Sequence, residues 1–408
     1  VSAFLEAVFL ALEAVWTHKL RSLLTVLGNI VAVTSIIAVV ALVQGLNQSF
    51  RDAIVSKLGA DTFQIRRVGI VADEDEAERA RRLNPRITIE DANAIRERSR
   101  AVRAVMAQVQ SNGRITYRDK ELESAKIEGV SEDFLWFASY DVERGRLQTP
   151  AEIRRRRPVA IIGWGVADRL FGDQDPLDKT LMIEGVHFRV VGVSEKKGAV
   201  FGQSQDEFAT IPLGAFQKIF GARRSLSLTV KPREPDLLAQ AMDDAVVSLR
   251  TRRKLKPSAA DNFGMFTSRT VLAIWNAATA GIFAVLIGVV ALSLVVGGIV
   301  IMNIMMMVVT ERTREIGLRK ALGARRRDII WQILAESVTL STVGGVVGSG
   351  LGFLVATAIE RSTPVPAAVE PWSVALGIGM TAVVGLFFGW YPASRAAALS
   401  PIEALRKE

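Results

Sequence analysis

Four stretches of this chain, Leu23 to Leu46, Ile274 to Val309, Gln332 to Glu360 and Trp372 to Trp390, are apolar over lengths that core helices of soluble domains do not need. A run of roughly 20 apolar residues crosses the hydrocarbon layer of a bilayer. At 408 residues and 50% hydrophobic the composition alone would allow two soluble domains. The concentration of apolar residues into blocks favours a membrane protein with four spans.

The formal charge of +9 invites a nucleic-acid reading, but the densest basic runs flank the apolar blocks, where cationic residues are retained on the cytoplasmic side. Topology accounts for the charge, and no nucleic-acid partner is expected. The chain has no cysteine, which removes disulfide and thiolate chemistry, and its two histidines, His18 and His187, make no cluster for zinc. It carries no G-x-x-x-x-G-K-[ST] phosphate loop, so nucleotide hydrolysis is expected on another polypeptide. No catalytic, cofactor-binding or metal site is assigned to this chain.

Residues 1–22 place Phe4, Val8, Leu12, Trp16 and Leu20 four apart, with Glu13, Thr17, Lys19 and Arg21 among them. They read as a helix in the cytoplasmic interface or as an ordinary amphipathic helix packed on protein. His18, Lys19 and Arg21 then precede the first span, 23–48. That apolar stretch is long and lacks a small-residue cleavage site, so a retained span with a cytoplasmic N-terminus is expected rather than a signal peptide.

Residues 49–268 have a soluble composition and are expected outside the membrane. Asp73 to Glu76 followed by Arg79, Arg81 and Arg82 suggest a solvated loop or short helix, or a binding arm. Thr88 precedes a helix over Glu90 to Glu97, and Ala101 to Ser111 reads as a strand ending at an Asn112-Gly113 turn. Further strands are predicted at Val159 to Ile162, Thr180 to Ile183, Val186 to Val193 and Ser225 to Val230, the second and third joined around Glu184-Gly185, and a helix over Asp236 to Leu249. Arg154 to Arg157 reads as an exposed linker before Pro158, or as a grip for phosphate, headgroups or an acidic partner. His187 sits in a strand with no nucleophile or metal set beside it, and reads as structural.

The second span, 269–309, contains Gly281, Gly288, Gly297 and Gly298 and is long enough to reach beyond one membrane face. Met302, Met305, Met306 and Met307 form an apolar patch near its cytoplasmic end. The third span, 332–360, carries Gly344, Gly345, Gly348, Gly350 and Gly352, which permit close helix approach. Pro364 and Pro366 interrupt the external connection, 361–371. Trp372, Trp390 and Tyr391 stand at interfacial depths of the fourth span, 372–391, and Pro392 is expected to end or redirect that helix before the tail, 392–408. Arg395, Arg406 and Lys407 in the tail, and the basic 310–331 connection, fall on one cytoplasmic side.

Within 310–331, Arg312, Arg314, Arg319, Lys320 and Arg325 to Arg327 accompany Glu311, Glu315 and Asp328. Such a segment can dock in a partner's groove through charge-assisted hydrogen bonds with Ile316, Leu318 and Leu322 as anchors, or it is a positive-inside loop without a partner. Gly317 and Gly323 allow close backbone contacts or end short helices.

Glu311 to Asp328, preceded by Val296 to Met306, closely resembles the C-terminal permease motif of the MacB/FtsX-like ABC transporter family. The resemblance extends to His18–Gly28 and to Pro392–Arg406. Val159 to Gly163, Leu170 to Gly172, Asp175-Pro176 and Phe188 to Val193 look like the MacB-type periplasmic core domain. It implies a membrane α-helical fold with four transmembrane helices and a large mixed α/β extracytoplasmic domain. It also implies a bacterial cytoplasmic membrane location with both termini inside. By the same resemblance, a dimer of permeases pairs with two ATP-binding subunits. Glu311, Arg312, Thr313, Arg314, Glu315, Ile316, Gly317, Leu318, Arg319, Lys320, Ala321, Leu322, Gly323 and Ala324 would form the coupling helix, with the N-terminal helix and C-terminal tail as secondary contacts.

ATP and Mg would then be bound by the partner ATPase and no cofactor by this chain. Because the sequence starts at the interfacial helix, the ATPase is expected as a separate subunit. The resemblance further implies a second permease copy, a periplasmic adaptor and a TolC-like outer-membrane channel. Export of drugs, peptides, glycolipids or other amphipathic molecules by mechanotransmission is the leading expectation. A lipoprotein-release permease, or an FtsX-like signalling permease controlling an external wall hydrolase, are the alternatives.

Overall fold

The computed structural model describes residues 19–59, 61–71, 73–137, 142–200, 203–362, 367 and 369–406. Most of the expected interfacial helix, 1–18, lies outside them, as do Pro364, Pro366 and Lys407. The chain forms two units, one made of residues 1–48 with 277–408 and the other of residues 49–276.

Among its described residues the 49–276 unit has twelve strands: β1 (Phe63–Arg66), β2 (Val102–Tyr117), β3 (Lys120–Val130), β4 (Val142–Gly145), β5 (Val159–Ile162), β6 (Thr180–Ile183), β7 (Val186–Ser194), β8 (Ala199–Val200), β9 (Gln203–Ser204), β10 (Phe208–Pro212), β11 (Ser227–Pro232) and β12 (Gly264–Thr267). Ten form one sheet ordered β12-β1-β11-β2-β3-β10-β5-β7-β4, with β6 paired to both β2 and β7, and β8 and β9 form a separate pair. The β3–β10 and β5–β7 pairs are parallel, which requires the intervening helices and makes the unit mixed α/β. Phe63, Phe188 and Phe216 are fully buried in its core. Gly129 lets the Leu213–Phe220 helix settle on β3, since a Cβ there would stand 2.6 Å from the Cβ of Phe216.

The β6–β7 hairpin turns at Glu184-Gly185 as the sequence suggests. Both residues have positive φ, 47° and 79°, the pairing a tight primed turn requires. Asn112-Gly113 is corrected: it lies inside β2, which runs on to Tyr117 before the chain reverses around Arg118 and Asp119. The register with β3 shifts between Gly113 and Ile115. A Cβ at Gly113 would meet Phe220 Cζ at 3.0 Å and Glu184 Oε1 at 3.1 Å. The glycine therefore serves an irregularity under close neighbours rather than a turn.

The acidic-basic run Asp73 to Arg82 is a helix, Glu74–Leu83, with no buried residue, and Asp73 accepts from the Asp75 N–H at its start. Ile89–Arg98 begins at Thr88, whose N–H donates to Asp91 Oδ2 at 3.0 Å. Asp91 is 1% exposed and also holds Arg252 at 3.1 Å and Arg253 at 3.0 Å from the Leu238–Arg252 helix and its cap. The expected Ser225 and Asp236 elements start two residues later, at Ser227 and Leu238. His187 is exposed on β7 opposite Met182.

Among the described residues, four helices are long and apolar enough to cross a membrane: Leu27–Ile54 within the Lys19–Leu58 helix, Ser268–Glu311, Arg326–Ser362 and Pro371–Ala398. The first two run without a break through the unit junctions at 48/49 and 276/277. At 44 residues the second span is about 66 Å long, roughly twice the hydrocarbon thickness. The spans meet through small residues. A Cβ on Gly345 would lie 2.4 Å from Thr381 Oγ1, one on Gly348 2.8 Å from the Ile30 carbonyl oxygen, and one on Gly28 2.9 Å from the Gly297 Cα.

Pro392 is also corrected. It is buried inside the fourth span, which continues to Ala398. Proline deletes one ladder donor, and packing between membrane helices tolerates that loss.

Candidate functional site

The segment 310–328 closes the second span onto the third through a helical hairpin. At the end of the second span, Thr310 Oγ1 donates to the Met306 and Met307 carbonyls, and Thr313 Oγ1 to those of Val309 and Thr310. These hydroxyls serve carbonyls as the helix breaks at Arg312. The short helix Thr313–Ala321 follows. Its end is a Schellman turn: the Gly323 N–H donates to the Lys320 carbonyl at 3.1 Å and the Ala324 N–H to that of Arg319 at 3.1 Å, with Gly323 at φ 101°. Asp328 then accepts from the Arg325 N–H at 3.0 Å as the third span begins. Glycine at 323 and aspartate at 328 thus fix a tight reversal.

The short helix has two faces. Ile316 and Gly317 are buried, Ile316 in a cluster with Ile301, Met305, Val309, Ile329 and Ile333. Gly317 lies under the tail helix Pro401–Arg406, where a Cβ on it would come 2.5 Å from that of Ala404. The other face presents Leu318, 52% exposed, and Leu322, 80% exposed, with Arg314 and Glu315 also exposed. Arg319 Nη2 donates to Glu315 Oε1 at 2.6 Å, one turn back.

Beside this hairpin a small solvent-open groove, about 30 Å³ in volume, runs along the end of the second span, with Met305 and Ile333 in its walls and Arg312, Glu315, Arg319 and Glu336 among its polar groups. Arg312 reaches Glu336 at 3.3 Å. Glu336 was not among the residues singled out from sequence, although an acid within an apolar span is itself a signal. Of those that were, Glu311 through Ala324 are brought to one end of the bundle. Among them Ile316 and Gly317 are buried, and Arg314, Glu315, Leu318 and Leu322 are exposed. Among the described residues no group of three or more His, Asp or Glu is placed to hold a metal ion.

A core domain inserted in sequence between the first two apolar spans, with a charged hairpin between the second and third, defines a polytopic membrane subunit with a large extracytoplasmic part. The family model described as MacB-like periplasmic core domain matches residues 22–246, more than half of the chain, and the FtsX-like permease C-terminal model matches residues 287–401. The chain belongs to the MacB/FtsX-like permease family. It is 34% identical over 414 residues to the macrolide export ATP-binding/permease protein MacB of Bdellovibrio bacteriovorus, with 100% of this chain and 62% of that protein covered. It is 37% identical over 408 residues to the MacB of Chlorobaculum tepidum, again covering 100% and 62%. The chain thus spans about 62% of the length of these relatives. The crystal structure of the periplasmic region of MacB from Actinobacillus actinomycetemcomitans aligns with 54% of this chain and 95% of its own at 21% identity and a TM-score of 0.45.

Proposed function

We propose that this chain is the membrane subunit of a MacB-like exporter. The transporter's ATPase binds ATP and Mg and pushes on residues 311–324, and two copies of the permease pass that motion to their external domains. A periplasmic adaptor and an outer-membrane channel receive the substrate, an amphipathic molecule already outside the membrane. The observation that carries the reading is the helix Thr313–Ala321. It is anchored on one face by Ile316 and Gly317 and open on the other through Leu318 and Leu322, which is the form a docking element for an apolar, charge-rimmed groove takes.

The test reconstitutes the full chain with its ATPase in nanodiscs and follows a spin label at Val247→Cys on the external domain. That side chain is 63% exposed, and the natural sequence contains no competing thiol. ATP should change the distance between labels in the two copies. Replacing Glu311 and Arg314 by alanine should abolish the change while membrane insertion is retained. Unchanged ATP-dependent motion in that variant would reject the role of these residues.

A further inference from the structure

Lys320 sits on the anchored side of the coupling helix, one turn after Ile316. Its ammonium donates to the Ala397 carbonyl at 2.9 Å and also to the Leu399 carbonyl. These carbonyls stand at the C-terminal end of the fourth span, Pro371–Ala398. There the last backbone acceptors have no partner within the helix, and the negative end of the helix dipole favours a cation. The same helix face is held by the Gly317–Ala404 contact and by Ile316, which shares a buried cluster with Ala393, Ala396 and Ala397. The fourth span is in turn locked to the third, where Ser337 Oγ donates to the Gly385 carbonyl at 2.8 Å.

We propose that Lys320 is a positioning residue that clamps the coupling helix to the C-terminal end of the fourth span. A push on residues 313–321 is thereby delivered to the fourth span directly, as well as to the second and third spans that flank the segment in sequence. The ammonium is suited to this because it has three donors and no acceptor, so it can hold both carbonyls at once. This inference rests on the reading of Thr313–Ala321 as the coupling helix, and its test separates the two.

Spin labels at Leu322→Cys and Ile402→Cys, on side chains 80% and 79% exposed, report the clamp in the full chain in nanodiscs without any partner. The natural residue at 320 should give one narrow distance distribution. Lys320→Met should broaden it at least twofold, and Lys320→Arg, which keeps the charge and the donors, should restore it. A narrow distribution in Lys320→Met would overturn the proposal, as would one in Lys320→Arg as broad as in Lys320→Met. With the ATPase present the first label is moved off the docking face to Arg325→Cys, an exposed position just past residues 311–324, and Lys320→Met should leave its ATP-dependent movement relative to one at Met307→Cys unchanged, while movement of the label at position 402 falls at least fivefold. Undiminished movement at 402 would also overturn the clamp. A chain with Lys320 in which ATP moves neither the label at 325 nor that at 402 would instead refute the coupling role, and the nucleotide-free distances would still decide the clamp.

Discussion

The two units of this protein solve the same packing problem with opposite side chains. In the external unit, large residues such as Phe63, Phe188 and Phe216 are fully buried, and each such ring removed from water contributes about 2–3 kcal/mol. In the spanning unit the contacts fall on glycine, serine and alanine: Gly385 against Ser341, Gly389 against Ser337, Gly352 against Ile37. Lipid tails are as apolar as leucine, so burying a large side chain between membrane helices gains little. Close backbone approach and interhelical hydrogen bonds take over. The apolar bulk of the second span, including Val285, Val289 and Leu292, is accordingly exposed.

The contrast is broken most severely at Asp91. That carboxylate holds Arg252, Arg253 and the Thr88 N–H while 1% exposed. Asp91→Ala strands the guanidinium of Arg253, whose side chain is 7% exposed, and should cost about 3–5 kcal/mol. Hydrogen exchange on the full chain should show faster opening throughout 49–276. Pairing Asp91→Leu with Arg253→Met should recover much of the loss, because an apolar pair carries no stranded charge. No recovery would mean that the ion pair does more than fill the site.

In the spanning unit the matched experiment adds volume. Gly385→Leu would start from a Cβ 2.6 Å from Ser341 Oγ and 3.0 Å from the Ser337 carbonyl oxygen. Backbone cannot yield cheaply, so a loss of about 2–3 kcal/mol is expected. Gly350→Leu, on the same pair of helices but with nothing within 4 Å, should be near neutral. Thermal unfolding in nanodiscs ranks the two. Equal effects would show that the small residues act through helix propensity rather than through approach.

The two units were also unequally legible. The spans were readable because a bilayer sets a minimum length that no other fold demands, and Glu184-Gly185 because alternation on both sides framed it. Asn112-Gly113 misled, since the same dipeptide suits a turn and a strand irregularity, and only the crowding by Phe220 and Glu184 distinguishes them. The sheet order places β11 between β1 and β2, a pairing that no local pattern encodes. At the candidate site the motif over 311–328 was plain, but the hydrogen bonds of Lys320 within it go to carbonyls 77 and 79 residues away. The grip on Asp91 likewise comes from 161 and 162 residues away. Local chemistry is written in order along the chain, whereas partners brought together by folding are not.

A smaller effect separates the units by pH. In the external domain the bidentate hydrogen bonds from Arg146, at 2.7 and 2.8 Å, hold the Glu152 carboxyl at about 2, below its ordinary 4.5, with burial opposing and the Thr149 N–H assisting. A depressed carboxyl stabilises the fold fully above its unfolded value. That contribution is lost as pH falls from about 4.5 to about 2. Because the Arg146 side chain is 49% exposed, screening limits it to about 1 kcal/mol. Glu152→Gln should remove this part of the acid sensitivity, seen as a smaller stability difference between pH 6 and roughly pH 3. An unaltered profile would place the acid response elsewhere.

The smallest structural effect is expected where the largest functional one is sought. Arg319 and Glu315 form an i,i+4 pair at 2.6 Å with side chains 41% and 51% exposed, worth about 0.3–0.5 kcal/mol. Arg319→Ala should therefore leave thermal unfolding and the 322-to-402 label distance unchanged, since neither Ile316, Gly317 nor Lys320 loses its contact. If the exposed face is the docking surface, the same substitution should still weaken ATPase capture by the permease about tenfold in a pull-down titration. A partner charge desolvated on docking is worth more than one left in water. Capture at full strength with stability unchanged would remove Arg319 from the docking face and leave Leu318 and Leu322 as its contacts. A fall in stability matching the fall in capture would mean that this exposed pair belongs with the tightly held contacts of the bundle.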